Sequence, residues 1–102
     1  MEQWLDVIAL DKLPRGAQQT VLLDNTTILV INLGDTLSAI EDVCTHDYCP
    51  LSGGLVEADA IVCPRHGARF DLRTGAALCA PAYEPVTVFP TRVVAGMVQV
   101  RD

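Results

Sequence analysis

The chain has 102 residues, half of them hydrophobic but only 5% aromatic, and carries a formal net charge of −6. This length suits one domain, which buries roughly 65% of the surface its unfolded chain would expose. No apolar stretch nears the ~20 residues that span a bilayer, and an acidic chain lacks the basic footprint nucleic acid requires, so neither a membrane nor a nucleic-acid partner is expected.

Met1 to Asp6 lacks the basic start and apolar centre of a secretory signal, so a cytoplasmic protein is expected. Trp4 to Leu10 is a plausible first strand, broken by Lys12-Leu13-Pro14-Arg15-Gly16. Thr20 to Leu23 and Thr26 to Leu33 flank Asp24-Asn25, a hairpin signal with β-branched residues on the second arm. Gly34-Asp35 turns the chain into a strand from Thr36 to Val43. Ala60 to Val62 and Ala68 to Leu72 are short strands on either side of a loop, and Pro81, Pro85 and Pro90 rule out a long central strand after them. Arg92 to Ala95 and Met97 to Val100, joined across Gly96, close the chain as a hairpin. Short strands with frequent Gly and Pro turns predict an antiparallel all-β domain.

Charge is distributed unevenly. Between Gly16 and Pro64 there is no Lys or Arg but seven acids, and three basic residues then follow close together at Arg65, Arg69 and Arg73. A solvated acidic surface is the ordinary explanation. The sharper one is an acidic carrier steered toward basic partner faces, with a salt-sensitive on-rate.

Both histidines of the chain sit just downstream of a cysteine: Cys44-Thr45-His46 and, after sixteen intervening residues, Cys63-Pro64-Arg65-His66. Each box follows a short apolar strand, so each is placed on a loop at a strand end, where a rigid sheet presents ligands. Any one of these residues alone would be an ordinary buried thiol or a satisfied histidine. All four together, with both histidines used, point to a metal centre. Thiolates and imidazoles in equal number suit zinc or an iron–sulfur cluster and not magnesium or calcium. Structural zinc sites usually pair Cys with Cys and His with His, which mixed boxes fit poorly. A two-iron cluster with two thiolates on one iron and two imidazoles on the other fits them well.

At this point the sequence resembles the Rieske [2Fe–2S] proteins, whose signature is C-x-H followed by C-x-x-H. The motif-level resemblance runs from about Val43 to Phe70, and more loosely it covers the whole chain, whose length matches the free-standing Rieske-type ferredoxins. It implies one domain over residues 1–102, an all-β antiparallel sandwich or barrel with a two-loop cluster-binding subdomain. The cluster loops would fall at about 43–53 and 62–70, and a proline loop at about 80–85. It further implies one [2Fe–2S] cluster, with Cys44 and Cys63 on the inner iron and His46 and His66 on the outer iron at the electron port.

The chain departs from part of that family. Respiratory members join the two loops by a disulfide. Cys49 matches the first half-cystine, but the partner position holds Arg65, so Cys49 is expected to be a free thiol and Cys79 a buried or semi-buried one. Those members also place a serine and a tyrosine hydroxyl after the second box, where this chain has Ala68 and Phe70. Losing donors to cluster or ligand sulfur lowers the potential, so a value on the order of −150 mV is expected. Tyr48, Pro50 and Leu51 are candidates for an apolar docking collar, and Asp47 with Arg65 for a polar rim.

The resemblance implies a monomeric one-electron carrier without turnover of its own, taking electrons from a flavin-dependent ferredoxin reductase and passing them to a terminal oxygenase. Service to iron–sulfur assembly or another reductase system, a small electron-transfer or interaction subunit of a larger enzyme, and a zinc-binding module stay as alternatives.

Overall fold

In the computed structural model, which describes residues 3–102, nine strands form three antiparallel three-stranded sheets. Met1 and Glu2, the start of the N-terminal segment that lacks the features of a secretory signal, lie outside the described residues. The strands are β1 (Leu5–Ala9), β2 (Gln18–Leu23), β3 (Thr26–Asn32), β4 (Leu37–Glu41), β5 (Val56–Glu57), β6 (Ala60–Val62), β7 (Arg69–Asp71), β8 (Thr91–Val94) and β9 (Met97–Val100). Their sheet orders are β1-β9-β8, β2-β3-β4 and β5-β6-β7. An all-β antiparallel architecture is therefore what the turns and β-branched runs produce. Among the described residues no helix is long and apolar enough to cross a membrane.

Strand β3 is buried on both faces, and this sets the layering. Side chains alternate across a strand. Ile28 and Val30 accordingly join Leu13, Ala39, Val98 and Val100 in one core, while Leu29 and Ile31 join Ile40, Leu51, Ile61 and Phe70 in another. The β2-β3-β4 sheet is thus the middle layer. One face packs on the sheet made by the chain ends, the other on the β5-β6-β7 unit that carries the cysteine boxes. Each layer supplies what its neighbour lacks, because a single three-stranded sheet leaves an apolar face in water.

Three hairpins close through two-residue turns in which both central residues have positive φ: Asp24-Asn25 (48° and 70°), Ala58-Asp59 (48° and 64°) and Ala95-Gly96 (50° and 79°). Such turns match the right-handed twist of the flanking strands. The first and third correspond to turns expected from sequence. The second does not, because Ala58 carries no turn signal, and the short β5 was missed with it. The strand expected over Trp4 to Leu10 ends at Ala9, since Leu10–Lys12 forms a single 3-10 turn whose Leu10 N–H is taken by the Gly96 carbonyl at 2.8 Å. The strand expected up to Val43 stops at Glu41 because Asp42 turns to serve the following loop, as described below. The proline-rich stretch, rightly excluded as a strand, lies along β4 through Glu41 N–H to Thr87 O and Phe89 N–H to Ala39 O, both at 2.9 and 2.8 Å respectively.

Gly54 marks the tightest contact between the box-bearing unit and the loop that follows the first box. A Cβ there would fall on the Val62 carbonyl oxygen and lie 2.9 Å from the Leu51 carbonyl oxygen, whereas a Cβ at Gly53 meets nothing within 4 Å. Gly54→Ala is expected to cost about 2 kcal/mol by overpacking, and Gly53→Ala only the roughly 1 kcal/mol of its left-handed backbone. Urea unfolding of the two variants checks this, and equal losses would contradict it.

Candidate metal centre

The two boxes close by the same main-chain ring. Cys44 N–H donates to the Cys49 carbonyl (2.7 Å) and Tyr48 N–H to the Cys44 carbonyl (2.6 Å). Likewise Cys63 N–H donates to the Ala68 carbonyl (2.7 Å) and Gly67 N–H to the Cys63 carbonyl (3.1 Å). Counting from either cysteine, the bonds join the same positions, and the fifth residue of each loop is left-handed: Tyr48 at φ 61° and Gly67 at φ 75°. Two loops of unlike sequence thereby present a cysteine at the same place in the same ring. Glycine takes that conformation at little cost, whereas for an L side chain it costs about 1–2 kcal/mol.

The rings sort the four expected ligands by depth. Cys44 and Cys63 are 0% and 1% exposed and sit in the same core as Leu51, Ala68 and Phe70. His46 and His66 are exposed, and their rings meet edge to face with centroids 5.1 Å apart. Burial pushes the Cys44 thiol up from its ordinary value, and contact with the Cys63 thiol pushes it the same way. The Cys44 sulfur is thus held as a neutral thiol until a cation displaces its proton.

Asp47 lies where the two pairs meet. A carboxylate oxygen groups within 4.8 Å of both thiols, and one groups within 4.8 Å of both imidazoles. Among the described residues no such group contains both a thiol and an imidazole. Its Oδ1 accepts from Cys49 N–H (3.1 Å), which holds the carboxyl below its ordinary range, with His66, His46 and Arg65 acting in the same direction. Its Oδ2 is buried with no hydrogen bond directed at it, although His66 Nδ1 is 3.1 Å and Arg65 Nε 3.5 Å away. A single tetrahedral zinc would draw all four donors into one set, with metal–ligand bonds of about 2.0–2.3 Å. Here the donors divide into a buried sulfur pair and an exposed nitrogen pair, which suits two metals of unlike ligation and rejects the zinc module.

The profile of the Rieske [2Fe-2S] domain matches residues 3–90. The chain belongs to the Rieske [2Fe–2S] family. It is 38% identical over 100 residues to the anthranilate 1,2-dioxygenase ferredoxin subunit of Burkholderia cepacia, covering 98% of this chain and 93% of that one. It is 33% identical to the ferredoxin component of the naphthalene 1,2-dioxygenase system of Pseudomonas aeruginosa, over 90% of this chain and 88% of the relative. Among solved structures, the ferredoxin of carbazole 1,9a-dioxygenase from Nocardioides aromaticivorans superposes with a TM-score of 0.90 at 32% identity, covering 96% of each chain. A small subunit of a putative NADH-dependent nitrite reductase from Mycobacterium tuberculosis superposes at 0.89 with 26% identity, over 100% of this chain and 96% of that one. The Cys/His site is therefore that of a Rieske-type [2Fe–2S] cluster.

Several expectations around the site need correction. Leu51 is not part of a docking collar; it is fully buried in the core beneath the loops. The exposed aromatics are Tyr48 and Tyr83, the second contributed by the proline segment. Cys49 is a free, half-buried thiol, but Cys79 is exposed, with its Sγ 3.8 Å from the Gly67 carbonyl. Arg65, which occupies the lost half-cystine position, faces Asp47 across the loops.

Three supporting residues escaped the sequence reading. Asp42 Oδ1 accepts from both Leu51 and Ser52 N–H (2.8 and 2.7 Å), closing the base of the first loop. Gln18 on β2 clamps Gly53 N–H and the Gly54 carbonyl (2.9 and 2.8 Å). Thr45, inside the first box, donates its hydroxyl to the Glu84 carbonyl at 2.7 Å and so ties the proline segment to the cluster loop. An acid just ahead of a loop-borne box was a readable signal for Asp42. Nothing local marked Gln18 or Thr45, whose partners lie 36 and 39 residues away.

Thr45→Val keeps the shape and removes the donor. It is expected to cost about 1 kcal/mol and to speed amide hydrogen exchange in the segment around Glu84, while Thr45→Ser stays near wild type. Unchanged exchange in the valine variant would show that the hydroxyl does not hold the segment.

Proposed function

We propose that this protein is a one-electron carrier, the Rieske ferredoxin component that takes electrons from a flavin-dependent ferredoxin reductase and delivers them to a terminal oxygenase of an aromatic-ring dioxygenase system. The observation that carries the reading is the division of donors by depth on two matched loops, in a chain aligned almost end to end with dioxygenase ferredoxin subunits. A chain of the carbazole 1,9a-dioxygenase complex of reduced oxygenase and oxidized ferredoxin, matched at TM-score 0.91 and 35% identity, supports the choice of acceptor.

In this reading Cys44 and Cys63 hold one iron and His46 and His66 the other, within a single unit spanning residues 1–102 whose loops at about 43–53 and 62–70 are covered by the segment at about 80–85. When bound, the [2Fe–2S] cluster supplies a one-electron couple and nothing more. The residues do the rest. The core around Cys44 and Cys63 excludes water from the sulfur side, while the exposed imidazole edges leave a short path to a docked protein. The chain works as a monomer in the cytoplasm, binds no organic substrate and catalyses no turnover alone.

The likeness to the mycobacterial nitrite reductase small subunit favours a second reading, an electron-transfer or interaction subunit of a larger reductase. Neighbouring reading frames separate the two, one predicting a terminal oxygenase and the other a reductase large subunit. A purified holoprotein that does not bleach on reduction would sink both.

Ala68 and Phe70 are 0% exposed beside the thiols and offer no hydroxyl. The midpoint is expected toward the bottom of the Rieske range, on the order of −150 mV. Ala68→Ser and Phe70→Tyr are each expected to raise it by supplying a donor. Protein-film voltammetry checks this, and a wild-type midpoint above zero would contradict it.

A further inference from the structure

The two ring-closed loops form an internal control. At the left-handed position the second loop uses Gly67 and the first uses Tyr48. A bulky side chain at positive φ is a backbone outlier, and such strain persists where function uses it. Tyr48 gains little from its own fold in return, being 75% exposed. Its side chain shares one depression of about 330 Å³ with His46, Thr45, Pro81, Tyr83 and Glu84. Tyr83, which lines the same depression, is 83% exposed and is held near it by the Thr45 hydrogen bond to the Glu84 carbonyl. Large exposed aromatics beside a functional residue are the anchors that interfaces use.

We infer that Tyr48 and Tyr83 form the docking anchor for the terminal oxygenase, taking an apolar side chain of that partner into the depression beside His46 while Glu84 receives a neighbouring lysine or arginine. This rests on the carrier reading above and names the surface through which that carrier recognises its acceptor. The choice of a cationic neighbour follows from the exposed, acidic Glu84 in the lining of the depression and the chain's net charge of −6. Backbone strain at Tyr48 is then the cost of presenting a phenol ring where the second loop needs none.

The test uses the holoprotein and the terminal oxygenase of carbazole 1,9a-dioxygenase from Nocardioides aromaticivorans as acceptor. Tyr48→Gly is expected to raise the melting temperature by about 4 °C, to leave the visible spectrum and midpoint unchanged, and to lower the second-order rate of oxygenase reduction about tenfold. Tyr48→Ala keeps the strain without the ring, so it should lose the rate without gaining stability. Tyr83→Ala should lower the rate similarly. Glu84→Gln should slow transfer at low ionic strength and match wild type at high salt, as a rim charge does.

A melting temperature that falls in Tyr48→Gly would overturn the inference, because the ring would then be serving the fold. An unchanged rate in Tyr48→Gly and Tyr83→Ala would overturn it while leaving the carrier reading intact. Concentration-dependent self-association of the wild type that Tyr48→Gly abolishes would also overturn it, by making a second copy the occupant. Failure of the wild type to reduce the oxygenase at all counts against the carrier reading instead, and the melting temperatures still decide the tyrosine.

Discussion

Both cysteine loops depend on one arrangement: the cysteine N–H reaches forward to the carbonyl five residues on, and the N–H of the fifth residue reaches back to the cysteine carbonyl. A backbone closed this way satisfies its own polar groups, so it can sit against an apolar core without leaving buried donors unpaired. The sulfur side of each ring then becomes core, and Cys44 and Cys63 are as buried as the leucines around them. The residues on the far side of the ring are left at the surface, and they include both histidines. The depth of these four side chains is thus a consequence of loop closure, and the unequal spacings of the two boxes are absorbed within rings of equal size.

The middle sheet makes this possible because β3 is buried on both faces. Leu29 and Ile31 supply the floor under the loops, while Ile28 and Val30 hold the sheet of the chain ends. The box-bearing unit has strands of only two and three residues, too short to be stable alone. It is fixed by long-range ties to the middle layer: Gln18 to the Gly53-Gly54 backbone, the Ser38 hydroxyl to the Leu72 carbonyl at 2.6 Å, and Arg73 to Asp35 at 3.0 Å. Arg73 also pairs with Asp59, so one guanidinium joins turns from both layers, and each partnership favours its charged form. These exposed pairs orient more than they stabilise.

Much of the site was legible because its chemistry is local in sequence. The mixed C-x-H and C-x-x-H order identifies two unlike metal positions without any fold, and the hairpins at Asp24-Asn25 and Ala95-Gly96 follow from turn residues. What stayed hidden is non-local or carried by residues without a signature. Ala58 occupies a turn that normally advertises itself with Asn, Asp or Gly. Leu51 sits next to exposed loop residues, and only the packing of Ile61 and Phe70 beneath it decides that it is core. Thr45 and Gln18 act through carbonyls dozens of residues distant, which no window of sequence brings together. The meeting of Tyr83 and Tyr48 at one depression is of the same kind, since it needs the course of the proline segment.

The charge pattern takes on a different meaning once folded. The acid-rich first two-thirds of the chain and the later Arg65, Arg69 and Arg73 read as separate blocks in sequence, yet they are interleaved in space: Arg65 lies 3.5 Å from Asp47, Arg69 bonds Glu57 at 3.0 Å, and Arg73 bonds Asp59 and Asp35. Four of the seven acids between Gly16 and Pro64 are therefore matched near the box-bearing unit, and a fifth, Asp42, is engaged with loop N–H groups. The net charge of −6 then acts as a long-range term, screened within roughly 8–10 Å at physiological salt, that brings a basic partner near without selecting its orientation. Orientation has to come from contacts of shorter range. At the surface beside the boxes stand His46, His66, Tyr48, Tyr83 and Glu84: the ring closures place the first three, and the Thr45 hydrogen bond to the Glu84 carbonyl holds the segment that carries the other two.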